Sequence, residues 1–348
     1  MTVEVSNAAS NQPAAPPPHV QLIQLLMGMW IAQTVGAIAR LGIADVLGST
    51  PVSADDVAAK LNANVDGITR LLRGGAAAGV VVETSARHFA LTPLGEALRS
   101  DAPLSMRDFL AAETAPGHWL PWGRLEEAVR DARPMANEAL GMSAWEYYAK
   151  NAEEGLSFAR AMSNLSAMVS AEVGTQYDAS RFATIVDVGG SHGVLLRALL
   201  AGAPQSRGIL FDLPNVIEGA RAQIAASPFA DRIELVTGDF LAEVPSGADL
   251  YVLKSILHDW DDDRATAILR NVRAAAKPES RILIVETMLP SQPQPSPIAL
   301  MDLNMLVMLG GRERTAEQFG ALLAAGGWRV ERVIPTPGMF QLIEGVVA

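Results

Sequence analysis

Three acids stand directly after or at the ends of short apolar runs, Asp187, Asp212 and Asp239, and the first leads into glycines, Gly189-Gly190-Ser191-His192-Gly193. Glycines leaving a buried strand let a ligand approach the backbone, and an acid after the next strand accepts hydrogen bonds from a ribose diol. Asp212, followed by Leu213, lies 19 positions after Gly193, as that arrangement requires. Read from Gly189, the turn lacks the G-x-G-x-x-G spacing of a dinucleotide pyrophosphate site. Asp187, the glycine turn and Asp212 therefore fit S-adenosylmethionine better than a nicotinamide cofactor; the same residues also read as a tight strand-to-helix turn with a capping acid. Gly238-Asp239-Phe240 offers an acid for an adenine amino group and a ring face to cover the base, although alone it reads as an ordinary turn. Three acids at the carboxyl ends of three consecutive strands fall where open α/β sheets hold ligands.

Composition narrows the alternatives. The 348 residues include no cysteine and five histidines, which removes thiolate nucleophiles, disulfides and thiolate zinc sites and leaves little for a metal cluster, so no metal is expected. A net charge of −11, from 27 basic and 38 acidic residues, opposes nucleic acid as a partner. The chemistry must rest on carboxylates, a few histidines or a bound cofactor.

The elements that position these residues come in two patterns. After Arg181, apolar runs at 183–188, 208–211, 233–236, 250–253 and 282–285 alternate with helical segments, which predicts an α/β fold with a mostly parallel sheet covered on both faces. Segments 329–335 and 339–347 read as a hairpin added at the sheet edge. Residues 105–180 read as helices only, and the front of the chain differs again. There, Ser53 caps a short helix, Asp66 opens a second that Gly79 ends, 80–84 and 88–91 form a hairpin, and Thr92-Pro93 starts another helix. This is the order of a winged helix-turn-helix, but the second helix offers only Arg70 and Arg73 beside Asp55, Asp56 and Asp66, so a DNA role is not expected. Residues 1–18, rich in Ala, Asn, Ser and Pro, read as a disordered arm. No charged residue occurs from Val20 to Ala39, a membrane-length run interrupted by Gln21, Gln24, Gln33 and Thr34. It reads as a helix buried on nearly all sides against a second copy of the chain, in a cytoplasmic homodimer with no membrane partner.

Six motifs, taken together, carry a resemblance. DVGGSHG at 187–193, FDLP at 211–214, GDF at 238–240, LKSILHDW at 253–260, VETMLP at 285–290 and GGRERTAEQF at 310–319 occur in the order and spacing of the class I O-methyltransferases of the caffeic-acid and hydroxyindole type, including their bacterial secondary-metabolite branch. The chain resembles that family from about residue 20 to its end. The resemblance implies a Rossmann-like S-adenosylmethionine methyltransferase sheet at 181–348. It further implies a winged-helix-like, mostly helical dimerisation domain at 19–104 and a helical bridge at 105–180 contributing to the substrate pocket. It implies that Asp187, Gly189, Gly190, Asp212, Leu213, Gly238, Asp239, Phe240 and Lys254 serve the cofactor. It also implies that His258 is the general base, with Asp259 beside it and Glu286 and Glu313 flanking its imidazole. Ser191 stands where many members carry a third glycine.

Methyl transfer from a sulfonium to a small-molecule hydroxyl requires alignment of the acceptor and removal of its proton. A carboxylate bonded to one nitrogen of His258 would fix its tautomer and stabilise the imidazolium. Trp119, Met162, Met168, Met301, Asn304, Met305 and Met308 are the candidate acceptor wall, with Trp119 a lid, and at least half of the methionines also read as core. A flat aromatic or polyketide-like hydroxyl is the expected acceptor. Nitrogen or carbon methylation on the same scaffold is one alternative; a decarboxylase or hydroxylase use of the same cofactor is another, which an intact His258 and both glutamates disfavour.

Overall fold

The computed structural model describes residues 16–348, so the arm expected at 1–18 falls almost wholly outside the described residues. The chain divides into two compact units, Met1–Ser100 and Asp101–Ala348.

In the first unit, α1 (Pro18–Arg40) starts at a proline, is uncharged through most of its length and ends on a basic residue. There follow α2 (Ile43–Leu47), β1 (Val52–Ser53), α3 (Ala54–Lys60), α4 (Val65–Ala77), β2 (Val81–Ser85), β3 (His88–Leu91) and α5 (Pro93–Glu96). Ser53 caps α3 by accepting from the Asp56 N–H, and Thr92 caps α5 by accepting from the Gly95 N–H. The second helix is capped two residues earlier than expected, by Asn64 rather than Asp66, because the Asn64 carboxamide accepts from the Gly67 N–H. The three strands form an antiparallel sheet in the order β1-β3-β2. Gly75 of α4 lies where a Cβ would meet the Ile38 methyl at 2.7 Å, so glycine sets how closely α4 approaches α1.

The burial expected around α1 is not met within the chain. Val35, Gly36, Ile38 and Ala39 are buried, but Leu22, Ile23, Leu25, Leu26, Met27, Met29, Trp30 and Ile31 are exposed. Helices α2 and α4 pack against α1, whose buried residues lie in its C-terminal turns. Among the described residues α1 is the one helix long and apolar enough to cross a membrane by length and composition.

The second unit opens with six helices, α6 (Arg107–Glu113), α7 (Pro116–Trp122), α8 (Leu125–Asp131), α9 (Ala136–Leu140), α10 (Ala144–Lys150) and α11 (Ala152–Gln176). Strands and helices then alternate: β4 (Thr184–Val188), α12 (Val194–Gly202), β5 (Arg207–Asp212), α13 (Pro214–Ala225), β6 (Ile233–Thr237), β7 (Leu250–Lys254), α14 (Asp262–Ala275), β8 (Arg281–Leu289) and α15 (Ile298–Met308). The chain ends with β9 (Arg314–Thr315), α16 (Ala316–Ala325), β10 (Trp328–Pro335) and β11 (Phe340–Val347).

The main path of the sheet runs β10-β11-β8-β7-β4-β5-β6, with the short β9 beside β8. Strands β4 to β8 are parallel and β11 pairs antiparallel with both β8 and β10, so the predicted terminal hairpin supplies the antiparallel edge. Apolar side chains fill both faces. Ile185, Leu195, Leu199, Leu210 and Val252 lie in the core on one face, and Val186, Tyr251, Leu253, Ile268, Ile284 and Trp328 in the core on the other. Each such side chain contributes roughly 1.5–3 kcal/mol by leaving water, which is why these strands read as continuous apolar runs. From β4 the chain steps outward to β5 and β6, then returns to place β7 on the other side of β4. The carboxyl ends of β4 and β7 thus flank the point where the strand order reverses, and a crevice opens there in sheets of this kind.

Candidate active site

The turn after β4 is built by backbone geometry. Gly189, Ser191 and Gly193 all take positive φ, at 68°, 53° and 68°. The Gly189 N–H donates to the Phe211 carbonyl at 2.8 Å, tying the turn to the end of β5. Asp212 completes it: one carboxylate oxygen accepts from the Ser191 N–H at 2.8 Å and the other from the Leu213 N–H at 2.7 Å. Each oxygen keeps a further lone pair, so the carboxylate can still accept from a diol. A Cβ on Gly190 would lie 2.5 Å from Leu210 and 2.6 Å from the Asp187 carboxyl, and one on Gly238 would lie 2.5 Å from the Phe211 ring. Side chains larger than hydrogen are therefore excluded where the strand ends converge.

Asp187 is 2% exposed, and its Oδ2 is one of three buried side-chain polar atoms without a hydrogen-bond partner among the described residues. Burial pushes its carboxyl up to about 7, against the pull of the nearby Lys254 ammonium. Lys254, at the end of β7, is itself pushed down by burial and held up by the charges of Asp187, Glu286 and Asp259. Asp239 accepts from the Leu241 N–H at 2.8 Å, which fixes its turn, and Phe240 stands edge-on to Trp260 with ring centres 6.1 Å apart. The donor set fits S-adenosylmethionine: an unpartnered buried carboxylate oxygen suits a cationic group, a second carboxylate suits a diol, and close glycines admit the backbone approach.

Beyond Lys254, Ser255 leaves the strand at φ 53° and residues Leu257–Asp259 form a single 3-10 turn. Glu286, fully buried on β8, holds this turn by its backbone, its Oε1 accepting from the N–H groups of Ile256 and Leu257 at 3.0 and 2.9 Å. Its Oε2 lies 3.9 Å from His258 Nδ1 and has no hydrogen-bond partner among the described residues. Glu313 takes the ring: its Oε1 is 2.9 Å from His258 Nδ1, and its Oε2 accepts from the Thr287 hydroxyl at 2.6 Å. The Glu313 N–H in turn donates to Asp302 of α15 at 2.8 Å. Asp259 Oδ1 approaches His258 Nε2 at 3.4 Å. Burial works against a charged imidazole here, but the charge of Glu286, the hydrogen bond from Glu313 and the charge of Asp259 outweigh it and raise His258 to about 10.

His258, Asp259, Glu286 and Glu313 are thus brought together, and charge coupling links Lys254 and Asp187 to them. The two glutamates divide the work, since Glu286 secures the backbone and Glu313 the ring. The sequence reading missed Thr287, Asp302 and Arg314, all of which act through pairings between distant segments; only their place in or near the VETMLP and GGRERTAEQF motifs hinted at them.

The residues of the expected acceptor wall lie in different surroundings. Met308 is buried in a core cluster with Met135, Val307 and Ala128, and Met305 is also buried. Asn304 is already engaged, accepting from the Trp122 indole N–H at 2.7 Å, a partner the sequence did not suggest. Trp119 is half-buried on α7, Met162 and Met301 are half-buried on α11 and α15, and Met168 is exposed.

The profile described as an O-methyltransferase domain matches residues 122–329, and an O-methyltransferase dimerisation domain matches 23–101. The chain belongs to the O-methyltransferase family. It is 38% identical to phenazine O-methyltransferase PhzM of Lysobacter antibioticus over 96% of this chain and 98% of that one. It is 35% identical to the mitomycin biosynthesis 6-O-methyltransferase of Streptomyces lavendulae over 99% of each. Among solved structures, the methyltransferase of calicheamicin biosynthesis in its SAH-bound form superposes with a TM-score of 0.83 at 33% identity, covering 95% of this chain and 98% of the other. This chain is an S-adenosylmethionine-dependent methyltransferase, and its α1 lies in the dimerisation domain from residue 23 onward.

Proposed function

We propose that this O-methyltransferase moves the methyl group to a hydroxyl of a small, flat aromatic or polyketide-like metabolite, and that His258 takes the hydroxyl proton. One observation carries the reading: Glu313 holds His258 Nδ1 at 2.9 Å, so Nε2, approached by Asp259 at the longer distance of 3.4 Å, is the nitrogen left to take a proton. When bound, S-adenosylmethionine supplies a methyl carbon already activated by its sulfonium, so the protein has to align the acceptor and remove a proton. Asp187, Lys254, Asp212, Asp239, Phe240 and the turn at Gly189 and Gly190 would hold it.

The electrostatics favour the transfer. An ordinary imidazole near 6.5 is a weak base toward a phenol near 10. The carboxylates around His258 raise it to about 10, so its neutral imidazole is a stronger base toward a phenol than an ordinary one. The same carboxylates keep the imidazole charged in the ligand-free protein at neutral pH, so turnover rises with pH as that proton is lost. His258 gives it up more readily when a cation occupies the neighbouring crevice. The acceptor would lie between α15 and the helices of 105–180, with Trp119, Met162 and Met301 bordering it. We further infer that two copies pair through α1 into a homodimer.

His258→Gln tests the base. The variant is expected to bind S-adenosylmethionine with an unchanged dissociation constant by calorimetry and to lose turnover of a phenolic acceptor by about 10²-fold or more. Near-normal turnover would remove His258 from the role.

A further inference from the structure

Arg314 is 1% exposed and makes a set of contacts that its neighbours extend. It sits on β9, opposite Met288 of β8. Its Nη1 donates to the Leu257 carbonyl at 2.8 Å and its Nη2 to the Trp260 carbonyl at 2.9 Å, the two residues that bracket His258 and Asp259. Nε and Nη2 also donate to Asp262 Oδ1 at 3.0 and 2.8 Å, anchoring the guanidinium at the start of α14. The His258 carbonyl, one of the two between them, accepts from the Arg312 N–H at 2.8 Å. A Cβ at Gly311 would collide with this same carbonyl, so residues 311–314 are pressed against the turn. The preceding residue, Glu313, is the one that holds the ring.

We propose that Arg314 is a positioning residue for His258, its buried fork locking the turn 257–260 so that the imidazole stays where Glu313 orients it. The proposal rests on His258 as the base. Lysine cannot serve in its place, because a single ammonium cannot span two carbonyls and a carboxylate in one plane. Displacing a reacting group by about 1 Å costs on the order of 10²-fold in rate, so a loosened turn is felt in catalysis before it is felt in binding. A purely structural arginine would move stability alone.

The charged groups facing His258 are Glu286 from β8, Glu313 from the segment before β9, Asp259 from its own turn and, through charge coupling among these acids, Lys254 from the end of β7. Arg314→Lys keeps the local charge, so a change in the titration of His258 reports geometry. The experiment follows the His258 ring by NMR in the full-length protein, its signal assigned by its loss in His258→Gln, alongside steady-state kinetics. In folded Arg314→Lys, kcat is expected to fall about tenfold or more at unchanged KM for S-adenosylmethionine. The His258 titration should move by about one pH unit or more toward its ordinary range. Wild-type kcat with an unmoved titration would overturn the proposal. Should that variant fail to fold, Asp262→Asn removes the guanidinium's exposed anchor, and its kcat decides in the same direction. Full turnover in His258→Gln would instead end the base assignment itself. An inactive His258→Gln beside fully active Arg314→Lys and Asp262→Asn would refute only the positioning role.

Discussion

Ser191 occupies left-handed backbone, φ 53°, between two glycines in the same region, and its N–H is committed to Asp212 at 2.8 Å. A non-glycine residue there costs roughly 1–2 kcal/mol, whereas glycine brings an unfolded-state entropy cost of about 0.4–1 kcal/mol. Ser191→Gly is therefore expected to stabilise the protein by on the order of 0.5–1 kcal/mol, seen as a higher urea midpoint at unchanged slope. A lower midpoint would show that the serine side chain contributes more than the backbone loses. The identity of this position as a substituted glycine was legible in the motif, but its φ was not, because the turn is set by hydrogen bonds to β5. Asp187, Asp212 and Asp239 were legible for a simple reason, an acid after an apolar run. Arg314 and Thr287 were not, since their partners at Leu257, Trp260 and Glu313 lie in other segments or become neighbours only once β9 lies beside β8.

The helix α1 shows what an element's pattern can and cannot tell. Its existence follows from an uncharged run closed by Arg40, and its burial does not, because burial depends on a surface outside the chain. Leu25 is 75% exposed and Trp30 56%, an apolar stretch that monomeric proteins rarely leave open. If this stretch forms the dimer interface, replacing both residues by glutamate removes roughly 1.5–3 kcal/mol of burial per side chain and places charge in an apolar contact. The double variant is expected to sediment as one chain at concentrations where the wild type sediments as two, a weakening on the order of 100-fold or more. A wild-type mass of one chain, or a variant still of two, would contradict the pairing. In the second unit the alternation of strands and helices was legible from Ala183 onward, because buried parallel strands are continuous apolar runs. The acceptor wall was not: methionines at helical spacing look alike whether they line a pocket or, like Met308, fill a core.

At the scale of the molecule, the charge of −11 takes on a location. Asp187, Asp212 and Asp239 lie at or just beyond the carboxyl ends of β4, β5 and β6, Glu286 within the C-terminal half of β8 and Glu313 in the segment before β9, where a cationic cofactor and an imidazolium both require compensation. The sheet's reversal between β4 and β7 brings the proposed cofactor residues and the His258 turn to one edge, and the family match spans both. The most direct test of the account is mass spectrometry after incubating the full-length protein with S-adenosylmethionine carrying an isotopically labelled methyl group and a panel of phenols, hydroxyindoles and polyketides. The account predicts a product bearing one intact labelled methyl on oxygen, formed together with an equal amount of S-adenosylhomocysteine. A product that carries the label only on nitrogen or carbon, or that gains oxygen or loses a carboxyl group without the label, would contradict it.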